Sequence, residues 1–383
     1  MILLLILKWF QCFFMTIYLF LITIYYFSWR QLPSFINEHK QAFVTKVSII
    51  IPARNEEDNI SNCLHDLLQQ KYPNDLLEII IIDDNSSDNT NHIIKDFQSK
   101  NPETNIHLIT LKDSPLINSY KKRTIAEGIT KATGTLMITT DADCRYEKNW
   151  IETIVAYYEK YHPKFISAPV CFIEEKPFFE RMQTLEFISL IGIGAASINI
   201  YKPNMCNGAN LAFEKSAYIE VNGYENNTDI ASGDDMYLML KIAKKYPDGI
   251  HFLKSKEAVV FTYAKKNISE FYQQRKRWAS KGMKYNNFSV TAVAFITYFA
   301  NLAWLINLMA AFIYSELLPL FIIMTLARMF IEFIFLFSIA SFFKRKKLML
   351  LYLPTFFYNI FYVIVIGVMG SVRGYTWKGR EVK

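Results

Sequence analysis

Two acid clusters, Asp83-Asp84 and Asp141-Ala142-Asp143, each close an apolar, β-branched run. The first run is Glu78-Ile79-Ile80-Ile81-Ile82 and the second is Leu136-Met137-Ile138-Thr139-Thr140. Runs of this kind read as buried parallel strands, and the ground just past their carboxyl ends is where open α/β sheets bind ligands. Two carboxylates one residue apart at that place can hold a hard divalent cation against a diphosphate. The chemistry this points to is that of nucleotide-sugars.

Acids so placed need a sheet to carry them, and the surrounding sequence supplies one. Val47-Ser48-Ile49-Ile50-Ile51 is a short apolar run closed by Pro52. Glu56 to Gln70 then repeats Ile60, Cys63, Leu64, Leu67 and Leu68 at helical spacing. Asn74-Asp75 turns the chain into the strand that ends at Asp83. A helix from Thr90 to Gln98, a strand from Ile106 to Leu111, a helix from Lys121 to Lys131 and then Gly134 lead to the strand ending at Asp141. This alternation implies a doubly wound, mostly parallel α/β sheet with right-handed crossovers. No G-x-G-x-x-G follows the first strand and no G-x-x-x-x-G-K-S/T occurs, which removes a nicotinamide or flavin fold and a P-loop hydrolase. A receiver domain also carries acids after a strand, but needs neither the second cluster nor membrane segments.

The rest of the chain is unlike an ordinary soluble enzyme. Of 383 residues 52% are hydrophobic and 16% aromatic, yet 20% are charged, and the apolar residues are segregated. Met1 to Phe27 holds a single charge, Lys8, and Ser289 to Phe343 and Leu348 to Met369 are again almost wholly apolar. The expected division is an anchor over 1–28, a soluble catalytic domain over 45–265, an amphipathic interface helix over 266–286, a transmembrane region of two to three spans over 287–370 and a basic tail over 371–383. The first segment lacks a small-residue cleavage site and ends in Tyr25-Tyr26-Phe27-Ser28-Trp29-Arg30, so it reads as a retained anchor with an aromatic belt. Cys12, Cys63, Cys144, Cys171 and Cys206 are scattered, which argues against a disulfide framework or a zinc site and suits a reducing compartment.

The net charge of +7 is concentrated: Lys265, Lys266, Arg275, Lys276, Arg277, Lys281 and Lys284 precede the second apolar block. The positive-inside rule then places the soluble domain on the cytoplasmic face of the cell (inner) membrane, where the same cations attract anionic lipids. No nucleic-acid fold signature accompanies them, so a nucleic-acid partner is not expected. Asn287 to Tyr314 and Leu318 to Phe343 are long enough to span, joined by Ser315-Glu316-Leu317, and Lys344-Arg345-Lys346-Lys347 then falls on the cytoplasmic side. A further span over Leu348 to Met369 sends Arg373, Lys378, Arg380 and Lys383 outside, against the charge rule. Either the tail is external or one C-terminal segment lies in the interface without crossing.

Taken together, these residues resemble the membrane-bound family 2 inverting glycosyltransferases of the GT-A fold, over nearly all of Val47 to Tyr285. Pro52-Ala53-Arg54-Asn55-Glu56-Glu57 is similar to the family's nucleotide-contacting loop, and Asp84 to the acid that contacts the nucleobase. Lys121 stands where relatives have Gly-Lys, with Tyr120 in place of the glycine. Asp141-Ala142-Asp143 matches the D-x-D motif, whose second acid holds Mg2+ or Mn2+ on the sugar diphosphate. Cys206-Asn207-Gly208-Ala209-Asn210 resembles the N-G-x-N strand near the donor sugar. Gly233-Asp234-Asp235 resembles the T-E-D motif, with Asp235 at the position of the base, and Gln274-Arg275-Lys276-Arg277-Trp278 fits Q-R-x-R-W completely. Trp377-Lys378-Gly379-Arg380 is similar to the tails of membrane-anchored members.

The resemblance gives these residues roles that their chemistry suits. A metal on Asp143, with Asp141 beside it, neutralises the leaving diphosphate; the plainer reading is a carboxylate cap on the helix beginning near Glu147. Asp235 takes the proton of the attacking hydroxyl, with Asp234 raising its basicity by like-charge repulsion; the plainer reading is an acidic helix start. Gln274, Arg275, Arg277 and Trp278 serve diphosphate and acceptor, on a basic helix whose Phe271, Tyr272 and Trp278 dip into the membrane. Glu180 to Asn199 either lies along the membrane and admits a lipid acceptor or is a plain core helix. Cys144 reads as a small buried residue. The expected protein is a metal-dependent, hexosyltransferase-like enzyme moving a sugar from a nucleotide donor, a UDP-sugar for preference, to a lipid-linked or other membrane-associated glycan acceptor. A processive polysaccharide synthase and a non-catalytic nucleotide-sugar-binding membrane protein are the alternatives.

Overall fold

The computed structural model of the protein describes residues 2–38, 41–112, 119–225, 233–279, 285, 287–369, 375–377 and 380–382. In chain order the elements are α1 (Ile2–Gln31), β1 (Val47–Ala53), α2 (Ile60–Leu68), β2 (Leu77–Asp83), α3 (Thr90–Lys100), β3 (Ile106–Thr110), α4 (Tyr120–Lys131), β4 (Leu136–Thr139), β5 (Arg145–Tyr146) and α5 (Trp150–Tyr161). There follow β6 (Phe165–Ser167), β7 (Val170–Ile173), α6 (Phe178–Asn199), β8 (Leu211–Glu214), α7 (Lys215–Glu220), α8 (Asp234–Lys245), β9 (Ile250–Phe252) and β10 (Val260–Tyr263). The chain closes with α9 (Ile268–Ala279), α10 (Phe288–Ile313), α11 (Leu318–Phe342), α12 (Tyr352–Met369), β11 (Tyr375–Trp377) and β12 (Arg380–Val382).

The chain divides into two compact units. One holds the sheet and comprises Pro33–Glu175, Ile198–Ala264 and the closing hairpin; the other comprises Met1–Leu32, Lys176–Ser197 and Lys265–Arg373. The sheet domain expected over 45–265 is therefore interrupted, because α6 groups with the apolar helices.

In the sheet unit the described residues form a seven-stranded sheet of order β3-β2-β1-β4-β8-β6-β9. The isoleucine runs of β1 and β2 are buried on both faces, Ile49 to Ile51 and Ile79 to Ile82 alike, as strands covered by helices on each side must be. Burying each such side chain stabilises by roughly 1.5–3 kcal/mol. The pairs β1–β2, β1–β4, β2–β3 and β6–β9 are parallel, whereas β8 runs antiparallel to both β4 and β6. Strand order reverses at β1, flanked by β2 and β4, so the crevice past the carboxyl ends of these strands is the natural ligand site. Ala53 pairs with Asp83 and Ile50 with Thr139, which brings the loops after β1, β2 and β4 to one edge. Because β8 is antiparallel and Thr139 pairs with Leu211, the chain entering β8 at Asn207–Asn210 arrives at that same edge. Gly134 lets β4 start beside β1: a Cβ there would lie 2.7 Å from the Ser48 amide nitrogen.

Two readings from sequence change. The helix expected from Glu56 begins only at Ile60, because residues 54 to 59 are spent on a hydrogen-bonded loop. Phe271 does not dip into lipid: it is buried with Tyr362 and Ile366 of α12. The helix over Glu180–Asn199, α6, is buried along most of its length and groups with the apolar helices. Four helices, Ile2–Gln31, Phe288–Ile313, Ser315–Phe342 and Lys346–Met369, are long and apolar enough to cross a membrane.

Candidate active site

The loops after β1 and β2 are knitted together. The Arg54 guanidinium donates to the carbonyls of Asp84 and Asn85, and the Glu56 amide donates to Thr90 Oγ1 at 2.7 Å. Asn55 accepts from the Ser87 amide at 2.9 Å while its own amide donates to Ser86 Oγ at 3.0 Å. Asn55 and Asn85 both hold positive φ, 49° and 54°, a conformation that asparagine tolerates better than most residues. Asp83 caps its own loop, accepting from the Ser86 amide and the Asn91 side chain, whereas Asp84 follows at the rim, its amide bonded to the Ala53 carbonyl. Pro52, Ala53, Arg54, Glu56 and Asp84 thus form one braced edge. Arg54 holds the loop through its hydrogen bonds to the Asp84 and Asn85 carbonyls.

At the end of β4 the acids meet a lysine. Lys121 Nζ, from the first turn of α4, lies 2.5 Å from Asp141 Oδ1 and 4.0 Å from Asp234 Oδ2. Burial works against the Lys121 charge, but Asp141, Asp234 and Asp235 more than offset it and hold its pKa above the ordinary lysine range. The Gly208 amide donates to Asp235 Oδ2 at 3.1 Å, and a Cβ built on Gly208 would lie 3.5 Å from both Lys121 Nζ and the Asp235 Cβ. Asp141, Lys121, Gly208, Asp234 and Asp235 therefore form one cluster within the sheet unit. Thr140 ties its two strands, donating to the Ala209 carbonyl at 2.8 Å, and the Asn207 side chain accepts from the Ala209 amide at 3.0 Å.

The plainer reading of the D-x-D pair, a helix cap, is not met: α5 starts at Trp150 behind Asn149, with no side-chain cap hydrogen bond. Asp235 keeps both of its readings. It sits in the first turn of α8 behind Gly233 (φ 82°), where the helix dipole favours a carboxylate. Both Asp234 and Asp235 act on the Lys121 ammonium, which lies 4.0 Å from Asp234 Oδ2.

Asn210 does a different job from the donor contact expected of it. It is fully buried, its amide donates to the carbonyls of Pro169 and Ala258 at 2.8 Å each, and it accepts from Trp150 Nε1 at 3.1 Å. Its side chain is spent on bracing the strand, which leaves Asn207 and Gly208 at the site.

Gln274, Arg275, Arg277 and Trp278 are carried by α9 in the helical unit. Arg275 is 1% exposed, ion-paired with Glu186 of α6 and stacked 4.5 Å from the Phe271 ring and 4.2 Å from that of Trp278. That guanidinium is committed to holding α9 against α6, which corrects its assignment to diphosphate or acceptor.

Sequence reading missed two residues. Lys122, the neighbour of Lys121, is 2% exposed, and burial pulls its pKa down to about 8 against the opposing pull of Asp234 and Asp235. Its signal was its place in α4, one position round the helix from Lys121. Glu186 gave a clearer one, as an acid in the middle of an apolar helix.

The site suits a divalent ion by the chemistry of its donors, although among the described residues no group of three or more His, Cys, Asp or Glu side chains gathers to hold one. Mg2+ and its like take one or two carboxylates and complete their shell with substrate phosphate and water. Asp143, with Asp141 beside it, offers that set.

Comparison with known proteins agrees with the geometry. The profile of "Glycosyl transferase family 2" matches residues 48–220, and that of "Glycosyl transferase family group 2" matches residues 136–369. The poly-beta-1,6-N-acetyl-D-glucosamine synthase of Staphylococcus epidermidis is 28% identical over 280 residues, which cover 70% of this chain and 63% of that protein. A Methanococcus voltae enzyme named as a dolichyl N-acetyl-alpha-D-glucosaminyl phosphate 3-beta-D-2,3-diacetamido-2,3-dideoxy-beta-D-glucuronosyltransferase is 26% identical over 62% of this chain and 73% of its own length. The fold is shared with a mannosyltransferase from Pyrobaculum calidifontis, solved with GDP-Man and Mn2+, at a TM-score of 0.60 and 16% identity, covering 92% of this chain and 99% of that one. With its GT-A sheet and its long apolar helices, the chain belongs to the membrane-associated family 2 glycosyltransferases.

Proposed function

We propose that the protein is an inverting, metal-dependent transferase that moves a hexose-type sugar from a nucleotide donor, preferably a UDP-sugar, to a lipid-linked acceptor at the cytoplasmic face of the cell membrane. The observation that carries this reading is the cluster of Asp141, Lys121, Gly208 and Asp235 at the switch point of the sheet. In it a cation and a D-x-D pair stand ready for a diphosphate, and a rigidly mounted carboxylate stands beside them. Lys121 and the braced loops after β1 and β2 bind the nucleotide and orient it. Asp235, held by the Gly208 amide and the start of α8, takes the proton of the acceptor hydroxyl as it attacks. A divalent ion on Asp143 and Asp141 would supply Lewis-acid neutralisation of the leaving diphosphate.

The lipid-linked acceptor is favoured by the apolar helices and by the printed name of the Methanococcus voltae relative. A processive polymer synthase is the second reading, favoured by the Staphylococcus epidermidis relative, of which this chain spans less than two thirds. Incubating isolated membranes with a panel of labelled nucleotide sugars and Mn2+, then extracting with organic solvent, separates them. Label in the organic phase supports the lipid-directed transferase and names its donor. Label in a high-mass aqueous or insoluble product supports the polymer synthase.

A further inference from the structure

The packing inside the helical unit bears on how often the chain crosses the membrane. α1 and α11 run the same way: Tyr18 donates to Glu332 at 2.6 Å, and further along both helices Trp29 donates to Ser338 at 3.2 Å and meets the Phe342 ring at 5.5 Å. α10 runs against them, since Asn301 accepts from Arg328 at 3.0 Å and Trp304 donates to Thr325 at 2.9 Å. The ends of α1 and α11 and the start of α10 therefore share one face, the near face.

α12 does not run from this face to the far one. Behind the exposed Lys344, Lys346 and Lys347 a 3-10 turn, Lys346–Leu351, doubles back along α11. Tyr352 then donates to the Met329 carbonyl at 2.7 Å and meets the Phe333 ring edge-on at 5.2 Å. At 1.5 Å per residue, Met329 and Phe333 lie about 14–20 Å along α11 from its near-face end. Past Phe357, which reaches deeper still, the helix climbs back. Phe357 lies 6.1 Å from Trp304, but Gly367 meets Tyr298, nearer the start of α10, so closely that a Cβ on it would sit 2.5 Å from the ring.

Between those two points Tyr362 and Ile366 bury Phe271 of α9. α9 is tied to the near face through α6. Its Arg275 pairs with Glu186 of α6, and α6 is fastened to the last turns of α1 and α11, where Ser28 donates to the Ala196 carbonyl at 2.7 Å and Gly192 packs on Ile339.

We infer that the segment Lys344–Met369 is re-entrant: it dips into the membrane and returns to the face it left, and α12 is the seat that carries the Q-R-x-R-W helix. Only α1, α10 and α11 then cross, among the described residues. Length does not decide the matter, since the 18 residues of α12 span about 27 Å. Charge agrees with the contacts, because a returning segment satisfies the positive-inside rule for Lys344–Lys347 without setting the basic tail sequence against it. Irregular backbone at membrane depth is tolerated where protein covers it, and Leu348 and Met349 in the 3-10 turn are buried.

The test compares two positions in the full-length chain, so it does not depend on which side the catalytic unit faces. Single replacements Glu316→Cys, in the turn between α10 and α11, and Lys383→Cys are labelled in intact cells with a membrane-impermeant maleimide, above the background of the native chain. The expected result is that one labels at least tenfold more than the other, and that permeabilisation equalises them. Equal labelling in intact cells overturns the re-entrant segment. Labelling of Lys383→Cys rather than Glu316→Cys keeps it and contradicts the cytoplasmic placement instead. Green fluorescent protein and alkaline phosphatase fused after Lys383 or inserted at Glu316 give an independent reading, with opposite reporters active at the two positions if the segment returns.

Discussion

Lys121 governs what the first acid of the D-x-D pair is free to do. In the structure it neutralises Asp141 at 2.5 Å and reaches towards Asp234, so an incoming diphosphate must compete for that cation or share it. A hydrogen bond to a charged group contributes about 1.5–3 kcal/mol, so Lys121→Ala should weaken donor binding on the order of 10- to 100-fold. Titration of nucleotide diphosphate against the variant measures this. Asp143→Ala should abolish the dependence of nucleotide binding on Mn2+, whereas unchanged metal dependence contradicts its assignment as a ligand. Lys122 carries a pH signature. Its folded pKa, about 8, lies below the unfolded lysine value near 10.4, so below pH 8 the full cost of burying the charge is present. Between about pH 8 and 10.4 the unfolded chain binds more protons than the folded one, and stability rises with pH. Thermal inactivation midpoints in detergent should climb over that window in the native chain and flatten in Lys122→Met. At this scale the sequence showed the acids and Lys121 through residue type and motif order. It did not show that the amide of Asn210 is consumed by Trp150, Pro169 and Ala258, because those partners come from distant strands.

Strands β2 and β4 were legible because their apolar runs are unbroken and end in acids. The antiparallel β8 was not, since four residues, Leu211–Glu214, carry no mark of direction. Yet that reversal is what delivers Asn207 and Gly208 to the acids. The helices were read from their apolar spacing, but α2 starts four residues later than the spacing suggested, because loop hydrogen bonds outcompete the helix there. The α6–α9 contact supplies a prediction of its own. Removing one partner of a buried ion pair leaves an uncompensated charge and costs about 3–5 kcal/mol. Glu186→Ala should therefore lower the denaturation midpoint strongly, and Glu186→Met combined with Arg275→Met should recover most of the loss. If the double variant is no better than the single one, the pair has a role beyond packing.

For the whole molecule, composition alone announced a membrane protein with a soluble catalytic part, since charge and apolar runs are so cleanly separated. What it could not give was the path of residues 344–369, where charge and hydropathy disagree and only helix-to-helix contacts arbitrate. Nor did it show α6 leaving the sheet unit, because a mostly buried helix has the same composition in either place. The central claim is that this unit transfers sugar with Asp235 as the base. Its most direct test is sugar transfer and donor binding measured side by side in membranes carrying the native chain or Asp235→Asn. General-base catalysis contributes roughly 10²- to 10⁴-fold, so the account predicts transfer reduced by at least 10²-fold with donor affinity within about threefold of native. Native transfer rates in Asp235→Asn would contradict it.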